Sequence, residues 1–150
     1  APGASSLIDS AASSGDAKTD GQRERDIYLT AVEWKGSAKV ADEPFPTDPL
    51  PEGGGYELIP PDAAGTWGVE TYRFDSAVVT ACRGERVTLN IFGVNSKFHD
   101  ISIPAFKKTF RVERGKLSTT TFVVKKAGIF SIICQTHQPS HRADLVVLAC

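Results

Sequence analysis

Residues 128–141 read Gly-Ile-Phe-Ser-Ile-Ile-Cys-Gln-Thr-His-Gln-Pro-Ser-His. The apolar run at the start is β-branched and aromatic, with a glycine before it and a proline beyond it, which predicts a buried strand. Cys134 stands where that strand ends, and His137 and His141 follow on the loop that leaves it. Because a strand end fixes one donor and a short loop can fold two others back toward it, this segment predicts a metal site.

A third histidine, His99, heads another apolar stretch upstream. One cysteine and three histidines form a donor set that suits copper or zinc. Taken singly, a cysteine after an apolar strand is commonly a buried thiol, and a loop histidine is commonly a surface residue. The spacing of His137 and His141 from Cys134, at i+3 and i+7, favours metal binding over these simpler interpretations.

Length and composition narrow the class of protein. The 150 residues fit one domain with a sizeable core. A net charge of −1 excludes a strongly basic nucleic-acid binder, and no apolar run has the length of a membrane span. Three cysteines fit an oxidising compartment if two of them pair and the third binds metal, whereas free thiols would fit a reducing one. The start at Ala1 and the lack of Met suggest a processed N-terminus, so we expect an exported protein, periplasmic or extracellular.

The chain divides into a leader and one folded domain. Residues 1–25 are rich in Ala, Ser, Gly and Asp and predict a flexible leader, so the domain is expected over 26–150. Prolines and glycines crowd residues 35–66, which predicts a long surface excursion with little strand pairing, either functional or part of an interface. Helical periodicity is nowhere sustained, so an all-β sandwich or barrel is expected. The predicted strands are 26–34, 67–74, 77–82, 86–92, 99–103, 109–112, 116–124, 128–133 and 143–149.

Three segments between Ala77 and Leu148 together resemble the cupredoxins, small Greek-key β-sandwiches that hold copper at one end. Residues 82–89 (Cys-Arg-Gly-Glu-Arg-Val-Thr-Leu) look like the family's strand–turn–strand. Residues 98–104 (Phe-His-Asp-Ile-Ser-Ile-Pro) are similar to its upstream histidine segment. Residues 126–137 resemble its ending, an aromatic strand followed by a cysteine and a nearby histidine. The resemblance covers about half of the chain.

The resemblance implies that His99, Cys134 and His137 are the strong copper ligands. Most single-copper cupredoxins carry a weak axial Met or Gln near the place of His141, and this chain contains no Met. The order Cys-x2-His and then a further His is most similar to nitrosocyanin, the red-copper branch, although that branch has a Glu where His99 stands. His141 is therefore expected as a fourth ligand; the alternative is a rim histidine, with the site left at three ligands or completed by a backbone or Gln oxygen. A binuclear site needs a second cysteine at the position of Gln138, so it is set aside.

The same resemblance implies further properties. The first core strand and the last would run parallel and side by side, which makes a Cys82–Cys150 disulfide reasonable and worth roughly 2–4 kcal/mol. One copper ion cycling between Cu(I) and Cu(II) would make the protein an electron carrier with a redox partner protein, rather than an enzyme. A nitrosocyanin-like site with an open position for a small molecule, and copper delivery, remain as alternatives. No nucleic acid and no membrane span are expected, and a homo-oligomer stays open.

Overall fold

The structure is a computed structural model that describes residues 21–150. This part of the chain forms strands joined by loops and one short 3-10 helix, Pro104–Phe106. The strands are β1 (Glu24–Lys39), β2 (Tyr56–Ile59), β3 (Thr66–Asp75), β4 (Val78–Cys82), β5 (Arg86–Gly93), β6 (Phe98–Ile103), β7 (Lys108–Glu113), β8 (Leu117–Val123), β9 (Gly128–Cys134) and β10 (Arg142–Leu148).

The strands build two five-stranded sheets, in the orders β2-β3-β1-β5-β8 and β4-β10-β9-β6-β7. Most neighbours are antiparallel, but β1 pairs with β5 and β4 pairs with β10 in parallel. The predicted parallel arrangement of the first core strand and the last is therefore present as β4 beside β10. The two sheets confirm the predicted all-β sandwich.

The core lies between the sheets and follows the period-two alternation of the strands. The core side chains from β1 are Ile27, Leu29 and Ala31, and those from β5 are Val87, Leu89 and Ile91. Successive side chains of a strand point to opposite faces, so one face of each strand supplies this core. From the second sheet, Ile101, Ile103, Ile132 and Leu145 meet them.

The strand directions give the sandwich two distinct ends. Parallel β4 and β10 both end near Cys82 and Cys150, which the structure joins by a disulfide. We call this the disulfide end. Antiparallel β9 runs the other way and finishes at Cys134, which is paired with Ile101 of β6. We call that opposite end the histidine end.

The structure departs from the sequence prediction around the excursion. β1 begins at Glu24, inside the predicted leader, and extends to Lys39, beyond the predicted Trp34; residues 1–20 of that leader lie outside the described residues. Tyr56–Ile59 forms β2 and pairs with β3, so the expectation of little pairing in 35–66 is wrong there. The prolines flank this four-residue segment and leave its own backbone N–H groups free to pair. Within residues 21–150, no helix has the length and apolarity required to cross a membrane.

Candidate metal centre

Three imidazoles meet at the histidine end. His99 is the second residue of β6, while His137 and His141 lie on the loop between β9 and β10. One ring nitrogen from each of the three lies within 4.8 Å of the other two. The ring centroids of His99 and His141 are 5.1 Å apart and the rings stand at 90° to each other. The fold thus brings together residues that are 42 positions apart (141 − 99) in the sequence.

Cys134 lies beside this histidine cluster. It is the last residue of β9, it is fully buried, and it is the free cysteine of the described residues. Its Sγ is 3.5 Å from Nδ1 of His137 and 3.4 Å from Oγ1 of Thr136. The mutually close set consists of the three histidines, with the thiol joined to it through His137.

The orientation of His99 is fixed from outside the cluster. Its Nε2 lies 2.8 Å from the backbone oxygen of Asn95, and a carbonyl only accepts, so Nε2 carries the proton. Nδ1 is then the lone-pair nitrogen; it is buried and has no hydrogen-bond partner within the described part of the chain. The Asn95 side chain is itself paired at 2.8 Å with both the N–H and the C=O of Glu33 in β1. Asn95 therefore positions His99 against the first sheet, a role that the sequence alone did not indicate.

His141 is buried without any hydrogen bond to its ring. Its exposure is 0%, and neither Nδ1 nor Nε2 has a partner among the described residues. Burial, together with the neighbouring His99 and His137, lowers its pKa to about 3, so the ring is neutral at pH 7. An unpartnered buried polar group costs about 1–3 kcal/mol, and a metal ion at the lone pair would remove much of that cost. The pKa values of His99 and His137 are also lowered, primarily by burial, so all three rings are neutral, the form that binds metal.

The loop that carries two of the histidines is braced by its own polar groups. The Gln138 side chain donates to the backbone oxygens of Cys134 (2.8 Å) and His141 (2.9 Å). The Cys134 N–H donates to the His141 oxygen at 2.9 Å, and the His141 N–H donates to the His137 oxygen at 3.0 Å. Gln138 thus fixes the distance between the strand end and His141. The sequence analysis singled out Gln138 only because a binuclear site would need a cysteine at that position.

An aromatic ring from the first sheet covers the cluster. Tyr72 of β3 stacks on His137 with ring centroids 3.6 Å apart and parallel planes. Burial and the nearby Glu33 carboxyl raise the pKa of Tyr72, so its phenol stays protonated at neutral pH. The pKa of the buried Glu33 is in turn raised by burial and by its hydrogen bond to Glu70. No pattern in the sequence singled out Tyr72, because its contact with His137 depends on how the sheets pack.

Comparisons with known proteins concern the fold. No protein-family model and no curated protein sequence matches this chain. A laccase from Pediococcus acidilactici is similar in structure, with a TM-score of 0.54 and 9% identity over 92% of this chain and 29% of the laccase. With that score over nearly the whole chain, the match supports the cupredoxin-like sandwich.

Two further solved structures are similar over part of the chain. Auracyanin A, a "blue" copper protein from Chloroflexus aurantiacus, has a TM-score of 0.42 and 21% identity over 50% of this chain and 88% of its own. A mixed-disulfide intermediate between a thioredoxin-like protein and subunit II of cytochrome c oxidase has a TM-score of 0.41 and 19% identity over 47% of this chain. This chain spans 56% of the latter's matched chain. These two similarities add no argument about function.

Proposed function

We propose that this domain binds one copper ion through His99, Cys134, His137 and His141 and acts as an electron carrier. The observation that supports this most is the set of buried, unpartnered imidazole nitrogens on His99 and His141, beside His137 and a buried free thiol. Burying polar nitrogens without partners is costly, and one metal ion would satisfy Nδ1 of His99 and one of the two ring nitrogens of His141.

The donor set fits copper. A thiolate is a soft donor and imidazole suits copper in both of its common oxidation states. Bound there, copper would exchange one electron by cycling between Cu(I) and Cu(II). Zinc accepts the same donors, so the identity of the metal is decided by the experiment below.

The protein's contribution is a rigid and dry frame. Cys134 is held by a strand end, His99 by Asn95, and the loop by Gln138, so each donor is anchored to a different part of the fold. His99, Cys134 and His141 are fully buried, and Tyr72 stacks on the partly exposed His137. Donors that move little on a change of oxidation state favour electron transfer over chemistry that needs an open coordination position.

Two alternatives predicted from the resemblance are less well supported. A nitrosocyanin-like site that binds a small molecule needs an open position, whereas Tyr72 and the buried His141 enclose the cluster. Copper delivery needs donors that exchange easily, whereas these are anchored by hydrogen bonds. With His141 as a fourth strong donor, we expect a red or green site of low potential rather than a blue one.

The wider setting is part of the same proposal. A disulfide between Cys82 and Cys150 is at home in an oxidising compartment, which supports a periplasmic or extracellular location. An electron carrier requires a redox partner protein, and we propose one without assigning its identity. Self-association of the domain is a question for solution measurements.

The test is the visible and electron paramagnetic resonance spectrum of the copper(II)-loaded protein, compared with Cys134→Ser. We expect an intense thiolate-to-copper band in the parent and its complete loss in the variant, with the far-ultraviolet circular dichroism of the sandwich unchanged. Retention of the band in Cys134→Ser would remove Cys134 from the site.

Two variants of His141 then decide its role. His141→Met should move the spectrum toward blue and raise the potential, because thioether is a weaker donor to copper(II) than imidazole. His141→Gly should open a position that takes exogenous imidazole. If both variants keep the parent spectrum and potential, His141 is not a ligand.

A further inference from the structure

Three consecutive glycines of the excursion, Gly53, Gly54 and Gly55, lie directly on the loop between β9 and β10. We call these three residues the glycine strap. The Gly55 N–H donates to the Gln138 oxygen at 3.1 Å, and the Gln138 N–H donates to the Gly53 oxygen at 3.0 Å. Gly54 forms a parallel bridge with Gln138 between these two bonds. The strap therefore pairs with the backbone of the loop just after His137.

The strap is also joined to the first sheet. The Gly55 oxygen accepts from the Tyr72 N–H at 2.9 Å and from Oγ of Ser140 at 2.8 Å. The next residue, Tyr56, starts β2 and is paired with Thr71 of β3. One carbonyl thus links the strand that carries Tyr72 to the residue that precedes His141.

The contact is so close that side chains do not fit. A Cβ on Gly53 would lie 2.3 Å from the Gln138 oxygen, one on Gly54 would lie 2.9 Å from the Thr136 oxygen, and one on Gly55 would lie 2.7 Å from the His137 oxygen. All three contacts are with backbone atoms, which cannot rotate away. Gly54 in addition has φ of +80°, which L side chains rarely adopt. The steric demand explains why three glycines occur together at this point of the excursion.

We propose that the glycine strap is a positioning element for the metal centre: it holds the loop with His137 and His141 in its binding shape before metal arrives, and it closes the loop to solvent. The positioning of the loop stands on the contacts above, whereas the binding of a metal by that loop rests on the proposed function. The composition of residues 35–66 left their role undecided, and this proposal assigns one to the strap. The strap is held by the pairing of β2 with β3, and its hydrogen bonds in turn hold the loop that carries His137 and His141.

The test uses Cys134, the free and buried thiol at the base of the loop, as a reporter in the metal-free protein. Gly54→Ala is compared with Gly65→Ala, because Gly65 has nearly the same φ, +78°, but nothing within 4 Å of the added Cβ. Both variants place an alanine at nearly the same positive φ, so they carry similar backbone strain. Only in Gly54→Ala does the added Cβ also clash with the loop between β9 and β10. We expect alkylation of Cys134, without denaturant, to be faster by about tenfold in Gly54→Ala and by less than about twofold in Gly65→Ala.

A purely structural role for the strap predicts a different result. Gly54→Ala would then lower the melting temperature while Cys134 became more reactive only through global unfolding, as in any equally destabilised variant. Equal alkylation rates in Gly54→Ala and Gly65→Ala at matched stability would overturn the proposal.

A milder change, Ser140→Ala, and a second strap substitution, Gly55→Ala, keep the test decisive if Gly54→Ala does not fold. Ser140→Ala removes one hydrogen bond from the strap and adds no atoms. Gly55→Ala, which has no positive φ, is matched by Gly36→Ala, where the added Cβ meets only Val69 at an ordinary 3.7 Å. We expect Cys134 to be alkylated faster than in the parent in Ser140→Ala and in Gly55→Ala, and at the parent rate in Gly36→Ala. Parent rates in the first two variants would refute the strap's role.

The copper(II)-loaded proteins supply a second measurement. Azide should perturb the spectrum of Gly54→Ala and leave that of Gly65→Ala unchanged, because the loosened loop admits an external ligand. Absence of any thiolate band in the parent would refute the proposed function, while the alkylation result on metal-free protein would still decide the strap.

Discussion

The two ends of the sandwich differ in whether their buried polar groups have bonding partners. At the disulfide end, Cys82 is bonded to Cys150. The buried Glu85 carboxylate accepts hydrogen bonds from Nε and Nη2 of Arg25, at 2.6 and 3.2 Å, and from the Cys82 N–H. At the histidine end, the imidazoles of His99 and His141 keep buried nitrogens that have no partner among residues 21–150. The polar groups at one end are satisfied by bonds within the chain, while buried nitrogens at the other end are left unsatisfied by the described residues.

The titratable groups at the two ends also have opposite effects on the stability of the folded state. Arg25 and the backbone Cys82 N–H hold the pKa of Glu85 below its usual range, so its charge contributes to the stability of the folded state. The histidines are neutral because burial lowers their pKa values, so their burial opposes folding as the pH falls. The bonds at the disulfide end thus offset the cost of the unpartnered nitrogens at the histidine end.

The largest effect is expected from opening the disulfide. In the double variant Cys82→Ser, Cys150→Ser, the free energy of unfolding should fall by about 4 kcal/mol, because the bond closes a loop with a sequence separation of 68. Guanidinium unfolding measures this. The copper(II) spectrum should stay the same, since the proposed metal ligands lie at the other end. A changed spectrum would mean that the two ends are coupled, against the separation described above.

An intermediate effect is expected from Glu85→Gln, which keeps the shape of the side chain and removes its charge. The loss of charge-assisted hydrogen bonds to Arg25 and to the Cys82 N–H should cost about 2 kcal/mol at pH 7. The matched control is Glu24→Gln, whose partner Arg86 is 3.0 Å away but whose side chain is 44% exposed. Exposed pairs contribute less than about 1 kcal/mol, so equal losses in the two variants would contradict the importance of burial here.

The smallest effect is a pH dependence at the histidine end of the metal-free protein. The unfolded His141 titrates near pH 6.5 and the folded one near pH 3, so protons bind preferentially to the unfolded chain as the pH falls between these values. From pH 6.5 to 5.5, His141 alone should lower the free energy of unfolding by about 1 kcal/mol. His141→Leu should show a correspondingly shallower dependence in urea unfolding. An identical slope in parent and variant would show that His141 is accessible to protons in the folded state.

The sequence predicted the strands well because each carries its own local signal. The alternation in β5 and the apolar run of β9 predict one strand from each of the two sheets. The spacing of Cys134, His137 and His141 indicates the candidate site before any contact is known. What stayed hidden depends on contacts between distant segments. β2 is only four residues long and lies among prolines, and the stacking of Tyr72 on His137 joins the first sheet to a loop that leaves the second. The glycine strap was visible as a composition but not as a contact.

The order of the cysteines along the chain has a consequence for oxidative folding. Cys82 and Cys134 both precede Cys150, and the strands that bring Cys82 to its partner, β4 and β10, are far apart in sequence. Long-range pairings of this kind form slowly, on the scale of milliseconds to seconds. Until those strands pair, Cys134 is not yet buried, and a two-electron oxidant such as an external disulfide can join it to Cys82, which is then lost to Cys150. Burial of Cys134 in the finished sandwich ends this competition, so early oxidation would trap molecules in which the proposed thiolate ligand is consumed.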